Sequence, residues 1–348
     1  MRDGRFERVV GSLLVLATLA LGGCVTVEEA GLEYTGPTAP VVLDGGNAGP
    51  VAWQAFDMLD GLDVDVSGML GELPVTSQTV TAEGGMTAKN AGGPLAHLQQ
   101  VLAILPRLRA DTSRLPAGVV HQGWLDCGRG GIRWTADQAM PGAVSPGDRY
   151  ILDFVDCEEG DTVLDGRVVV DIGEASGVWG ETDYRLAGVT RFEALTFTTM
   201  TDGNHGLQDG AIRFEETWIA GVRRVRASGS ELYLRYEGEQ FLLADFDFLL
   251  RDDGLARTQD ADFVLYSTTL GGYIDVSTLA SFTRDGQYPW RGSLLIHGAG
   301  GAWMRLDAEP DARSVTVSWA FGLPASDVAE GVETVSWLAL PFWRPLGW

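Results

Sequence analysis

Few residues in this chain have types and spacings able to do chemistry. Its 348 residues include only three cysteines and four histidines. Cys127 and Cys157 lack the Cys-x-x-Cys spacing of a redox pair. They stand as a structural disulfide or as buried thiols, and the disulfide is the expectation. His97, His121, His205 and His297 show no metal-ligand spacing and no His-Glu-x-x-His, so they are expected as surface or helix-face residues. There is no Gly-x-Ser-x-Gly elbow and no phosphate-binding glycine loop, so no catalytic residue, metal or cofactor is expected. The acids are more suggestive. Asp57, Asp60, Asp63 and Asp65 crowd one stretch, and Asp245, Asp247, Asp252 and Asp253 another. Such groups could bind Ca²⁺, but neither follows a calcium-loop spacing, and a chain this acidic produces clusters by composition. Paired carboxylates could also cleave glycosides. The tryptophans, including Trp124, Trp134, Trp179, Trp218, Trp290, Trp303, Trp319, Trp337, Trp343 and Trp348, suggest glycan or lipid contact against the plainer reading of strand and core residues. Phe342-Trp343 and Trp348 fit the plainer reading least, because no length is left for another strand.

The elements that must position these groups are mostly strands. Tyr150, Leu152 and Phe154 alternate with polar neighbours, and Val168, Val170 and Ile172 alternate with Arg167 and Asp171. Period-two alternation marks half-buried antiparallel strands. The pattern runs from Gly118 onward. Hairpin-like units are expected around Phe192–Trp218, Glu231–Leu250, Phe263–Thr283 and Gly292–Leu306, with last runs at Val315–Trp319 and Val335–Leu340. Asp202-Gly203-Asn204, Asp209-Gly210, Asp253-Gly254 and Asp285-Gly286 read as turns between them. Leu242, Ala244, Phe246, Phe248 and Leu250 are expected to share one face, and Val315, Val317 and Trp319 another. Pro94–Arg109 reads as the one helix, with Leu95, Leu98, Val101, Leu102, Leu105 and Leu108 at three-and-four spacing. Val51–Met69 reads as strand, with Trp53, Ala55 and Phe56 near the core; 71–93 reads as polar loop and short strands.

A dozen or more strands with one helix cannot stay a flat open sheet. The expected fold is mainly all-β: a large antiparallel meander curled into a barrel or half-barrel, the helix at about 94–109 packing in or across its mouth. A two-sheet sandwich is the alternative. If Trp124–Cys127, Gly131–Thr135 and Tyr150–Cys157 run up, down and up, both cysteines reach one end of the sheet. The strand between would then hold them about 10 Å apart, and the adjoining loops would have to close that gap.

Composition narrows the partners. The formal net charge is −23. Such acidity argues against a basic nucleic-acid surface and against a polybasic dock on anionic lipid. The N-terminus reads as an export signal. Arg2, Arg5 and Arg8 precede the apolar run Val9–Leu21, which is too short to span a bilayer comfortably. Leu21-Gly22-Gly23-Cys24 follows, and it resembles the lipobox of bacterial lipoproteins. The resemblance implies cleavage before Cys24 and lipid on its sulfur. With Val25 rather than Asp after the cysteine, it also implies outer-membrane sorting. Residues 1–23 are then signal peptide, 24–50 a flexible Gly/Pro-rich tether, and 51–348 one β-rich domain. Export places Cys127 and Cys157 where disulfides persist.

The mature chain is also similar to β-rich envelope lipoproteins. The likeness is carried by Trp124-x-x-Cys127, Gly147-Asp148 leading to Phe154-x-x-Cys157, Leu164-Asp165-Gly166, Leu270-Gly271-Gly272 and Gly292-Ser293-Leu294-Leu295-Ile296. It implies no particular activity. The expected function is therefore a lipid-anchored, non-catalytic envelope protein, structural or binding, with an apolar small molecule as a possible ligand. The alternative is an envelope hydrolase acting on glycan. A water-excluding apolar cavity would favour the carrier, and a groove with two carboxylates and exposed Trp the hydrolase. A filled interior would favour a structural role.

Overall fold

Fourteen strands follow one another in space in the order in which they follow in sequence, every neighbouring pair antiparallel, in one sheet. The structure, a computed structural model, describes residues 32–60, 96–112, 119–140, 142–178, 183–201, 203–286, 288–322 and 328–345. The strands are β1 (Val120–Asp126), β2 (Gly131–Asp137), β3 (Arg149–Glu159), β4 (Thr162–Ser176), β5 (Tyr184–Thr199), β6 (His205–Ile219) and β7 (Val222–Tyr236). They continue as β8 (Glu239–Asp252), β9 (Arg257–Ser267), β10 (Gly272–Arg284), β11 (Arg291–His297), β12 (Trp303–Ala308), β13 (Ser314–Ala320) and β14 (Gly331–Ser336). The two edges do not pair with each other, so the sheet is a curled half-barrel and not a closed barrel or a sandwich. Both edge strands are short, which limits the exposed ladder.

A seam of bulges produces the curl. Pairing shifts register at Phe154/Cys157 in β3, Asp165/Arg167 in β4, Phe192/Leu195 in β5, Gly210/Arg213 in β6 and Ala244/Asp247 in β8. These positions face one another across the sheet, so the kinks align. A bulge inserts an unpaired residue, bends its strand and increases the local twist. Asp156, Ala194 and Asp245 take positive φ there. Gly166 answers Ala194 from the next strand with φ +123, and a Cβ on it would lie 2.8 Å from the Ala194 carbonyl oxygen. Two sequence expectations fail at this seam. Asp209-Gly210 is not a turn; it is the bulge inside β6. Leu242 and Ala244 do not share a face with Phe246, because the extra residue at Asp245 switches the phase and turns Leu243 inward instead.

The inner face carries one continuous apolar core, including Tyr150, Leu152, Phe154, Phe192, Phe214 and Phe248. Helix α1 (Ala48–Asp60) packs into it where a strand was expected. Val51, Ala52, Ala55, Phe56 and Leu59 are all buried, which is helical spacing, whereas Trp53 is only half-buried. The helix starts cleanly. The Asp44 carboxylate accepts the Gly46 and Asn47 N–H groups, and the Asn47 carbonyl accepts the first intrahelical bond, from Val51. Phe56 stacks on Trp337 at 4.3 Å and meets Phe282 edge-on. Gly49 lies against the C-terminal turn, where a Cβ would be 2.4 Å from the Trp343 carbonyl oxygen. That turn replaces the expected run Val335–Leu340: β14 stops at Ser336, and Leu340–Phe342 form a 3-10 turn.

The span expected as a tether, 24–50, is packed from residue 32 onward. Thr35 donates to Gln240, Ala39 and Val41 exchange backbone bonds with Tyr273, and Val41 and Leu43 are buried. It forms a strap along one end of the sheet before turning into α1. Helix α2 (Ala96–Thr112) matches the expected 94–109 helix and runs past its expected end, while residues 94 and 95 lie outside the described residues. Asp63, Asp65 and the expected strands and loop at 61–93 lie outside the described residues, as does Cys24.

Candidate functional site

Helix α2 and the sheet end beneath it bring His97, Arg107 and both cysteines to one end of the sheet. Leu98, Val101, Leu102, Ile104, Leu105 and Leu108 are all buried, so the apolar stripe read from the sequence faces the core. Near its start, His97 meets Gln208 of β6 and packs with tilted rings on Phe197 of β5 at 4.4 Å. At its other end, Arg107 donates to the Glu159 carboxylate of β3 at 2.7 Å and to the Asp126 carbonyl of β1 at 3.0 Å. Ten helical residues advance about 15 Å, and three strand spacings from β6 to β3 cover about 14 Å. Helix α2 thus lies across the strands, spanning the mouth of the half-barrel from β6 to β1. The strap covers the rest of the same end.

His97 is a helix-face residue of α2, as one form of the expectation had it, but it is buried against the sheet and not on the surface. Burial pushes its pKa below the usual histidine value, opposed by the bond to Gln208. It is therefore held as neutral imidazole. His205 bonds Thr198 at the β5–β6 turn, and His297 is exposed at the end of β11.

The cysteines lie directly beside the Arg107 contact. Cys127 and Cys157 form a disulfide with Cα atoms 5.4 Å apart. The expected gap of about 10 Å closes because β2 begins only at Gly131, while β3 runs on past it to Glu159. The bulge at Asp156 turns this extension toward the Cys127–Gly130 turn, and Gly128 and Arg129 bond directly to Glu158. The Glu159 carboxylate lies within 4.8 Å of both sulfurs, but sulfurs joined to each other are not metal ligands.

The acidic clusters separate into pairs. Asp247 is held by Arg226, Asp252 by Arg257, and Asp253 accepts the Leu255 and Ala256 N–H groups. Asp57 is buried on α1. The outer face repeats the theme. Arg167 pairs with Asp153, Asp171 lies between Arg149 and Arg191, and Arg185 bridges Glu174 and Glu215. The tryptophans mostly serve the core. Trp337 is fully buried, and Trp343 packs edge-on against Trp319 and donates to Glu333. Among the described tryptophans Trp124 is the exposed one, 47% exposed on β1, and Trp179 and Trp348 lie outside the described residues.

Two buried polar groups carry no obvious sequence signature. The Asp148 carboxylate accepts the Ala139 and Ser145 N–H groups and the Tyr150 hydroxyl; burial raises its pKa all the same. Glu216, in phase with inward Ile212 and Phe214, accepts from Tyr184 and Arg223. An acid in phase with an apolar stripe was the available clue. Burial and the facing Glu216 charge raise the Tyr184 pKa, so its hydroxyl stays protonated. Both groups brace loops at the end of the sheet opposite α2.

A cleft of about 660 Å³ opens by the β5–β6 and β7–β8 turns, lined by Thr198, His205, Arg235, Glu237 and Gln240 among others. Glu237 is the single carboxylate in its lining, and it accepts the His205 N–H. A second cleft of about 440 Å³ lies at the opposite end, by Tyr288 and Leu338. No described helix is long and apolar enough to cross a membrane. No family model, curated protein or solved structure matches the chain.

Proposed function

We propose that this chain is a lipid-anchored protein of the bacterial cell envelope, outer membrane by its sorting residue, that works by binding and not by catalysis. Its ligand is apolar, of acyl-chain character, and it binds to the inner face of the half-barrel under α2. The anchor is lipid on Cys24, following the lipobox Leu21-Gly22-Gly23-Cys24.

One observation carries the binding reading. Helix α2, tied at each end by polar contacts, spans the mouth and packs its apolar stripe from Leu98 to Leu108 into the continuous core, so a ligand would take the place of that stripe on the inner face. Curled sheets of this kind commonly enclose apolar ligands. The charged outer face supports an aqueous setting: mid-strand Arg and Asp pairs would be penalised by hydrocarbon, so the membrane is reached through the anchor and not through the strands. The glycan-hydrolase alternative needs two carboxylates in one cleft, and the larger cleft offers Glu237 alone.

Native mass spectrometry of the purified chain without its first 24 residues tests this. An adduct of lipid mass, lost on denaturation, is the expected result. A bare chain from lipid-rich lysate that also fails to take up added fatty acid would refute it.

A further inference from the structure

The contact that holds the C-terminal end of α2 is built on the disulfide. Arg107 is received by two groups, the Glu159 carboxylate at 2.7 Å and the Asp126 carbonyl at 3.0 Å. Asp126 immediately precedes Cys127, and Glu159 is two residues past Cys157. They belong to β1 and β3, which are not neighbours in the sheet. Among the described residues, beyond the start of β2 the two strands are joined at the Cys127–Gly130 turn, by the disulfide and by backbone bonds from Gly128 N–H to the Glu158 carbonyl and from Glu158 N–H to the Arg129 carbonyl. Both acceptors must be held together for one guanidinium to reach them.

We propose that the Cys127–Cys157 bridge and the Arg107 socket form a latch for α2, so that the redox state of the bridge sets how often α2 lifts from the mouth. Arg107 and Glu159 are partly exposed, with side chains 41% and 26% accessible. A pair of that kind contributes modestly beside the buried apolar stripe of α2, so the latch changes the frequency of an opening that the stripe already opposes. The chemistry is thiol–disulfide exchange with a dithiol. The dithiol gives two electrons, its two protons end on the Cys127 and Cys157 sulfurs, and it leaves as its own disulfide. The S–S bond breaks, the two backbone bonds between the Cys127–Gly130 turn and Glu158 become the remaining tie, and the two acceptors are held together less firmly. Arg107 is a positioning residue here; it need not touch the ligand.

The latch can be tested without reference to any ligand. Hydrogen exchange is followed by mass spectrometry in the mature chain, oxidised and after dithiothreitol, for wild type, Arg107→Ala, Glu159→Gln and Cys127→Ser/Cys157→Ser. Peptides from 96–112 are expected to exchange about 5- to 10-fold faster in each variant and on reduction, as the loss of a charged hydrogen-bonded contact allows. Peptides from β7–β12 serve as the reference: they should not change in Arg107→Ala or Glu159→Gln, and on reduction or in Cys127→Ser/Cys157→Ser they report the loss of global stability against which 96–112 is read. Reduction should add little to Arg107→Ala, because both act on one contact. Unchanged exchange in 96–112, fully additive effects, or equal acceleration across β7–β12 in Arg107→Ala would each overturn the latch. Uptake of a fluorescent fatty acid by the same variants links the latch to the proposed binding. If 96–112 opens as expected but no variant takes up the probe, the binding reading fails and the latch stands.

Discussion

At the scale of single residues, the decisive groups are buried and polar. Neutral His97 is an example. Its folded pKa lies below the ordinary histidine value, so the stability it contributes is fully present above about pH 6.5 and is lost as pH falls toward its folded pKa. Asp148 acts in the opposite direction at lower pH. Its folded pKa is raised, so the folded state gains relative stability as pH falls through it toward the ordinary carboxylate value. Thermal melts of wild type and His97→Gln between pH 7 and pH 5 separate the two. The wild type should lose more melting temperature over that interval than the variant; parallel curves would remove His97 from the account. Glu216 is the second case. It is 4% exposed and receives both Tyr184 and Arg223. Glu216→Gln leaves Arg223 without its counter-charge and should cost about 3 kcal/mol in urea unfolding. A change below about 0.5 kcal/mol would mean that the pair is solvated and unimportant.

At the scale of elements, the meander was legible because its strands are long and alternate cleanly. Tyr150, Leu152 and Phe154 are buried as their period predicts, as are Val315, Val317 and Trp319. The stripe of α2 was equally plain, and its place across the mouth was expected. The bulges were not legible. A bulge adds one residue and inverts the phase, so Leu242 and Ala244 read as inward when Leu243 is, and Asp209-Gly210 has the composition of a turn without being one. Helix α1 was missed because Trp53 and Ala55 suggested alternation, while the helical set Val51, Ala52, Ala55, Phe56 and Leu59 went unread. Its anchor is testable: Phe56→Ala should cost about 3–5 kcal/mol in denaturant unfolding, since the ring packs on Phe282 and Trp337. A loss under about 1 kcal/mol would detach α1 from the core. The site was half legible. The cysteines were paired from compartment and strand order. The Arg107 socket needed the overrun of β3 past β2, which depends on the Asp156 bulge. Closing a loop across 30 residues should stabilise the folded chain by about 3.5 kcal/mol. Urea unfolding of Cys127→Ser/Cys157→Ser checks this value, and an unchanged midpoint would contradict it.

At the scale of the whole molecule, an acidic half-barrel with paired charges outside and an apolar inner face is proposed to stand on a lipid anchor in the envelope. Cys24→Ser should leave unprocessed or soluble protein in fractionated cells; processed protein still in the membrane fraction would contradict the anchor. The central claim is that the inner face under α2 binds an apolar ligand, and photo-crosslinking tests it most directly. The chain without its first 24 residues is mixed with a diazirine-bearing fatty acid, irradiated and mapped by peptide mass spectrometry. The account predicts one saturable label per chain, competed by unlabelled fatty acid, on α2 and on inner-face residues of β3–β6 such as Phe154 and Phe192. Label that does not saturate, or that falls only on outer-face peptides, would contradict it.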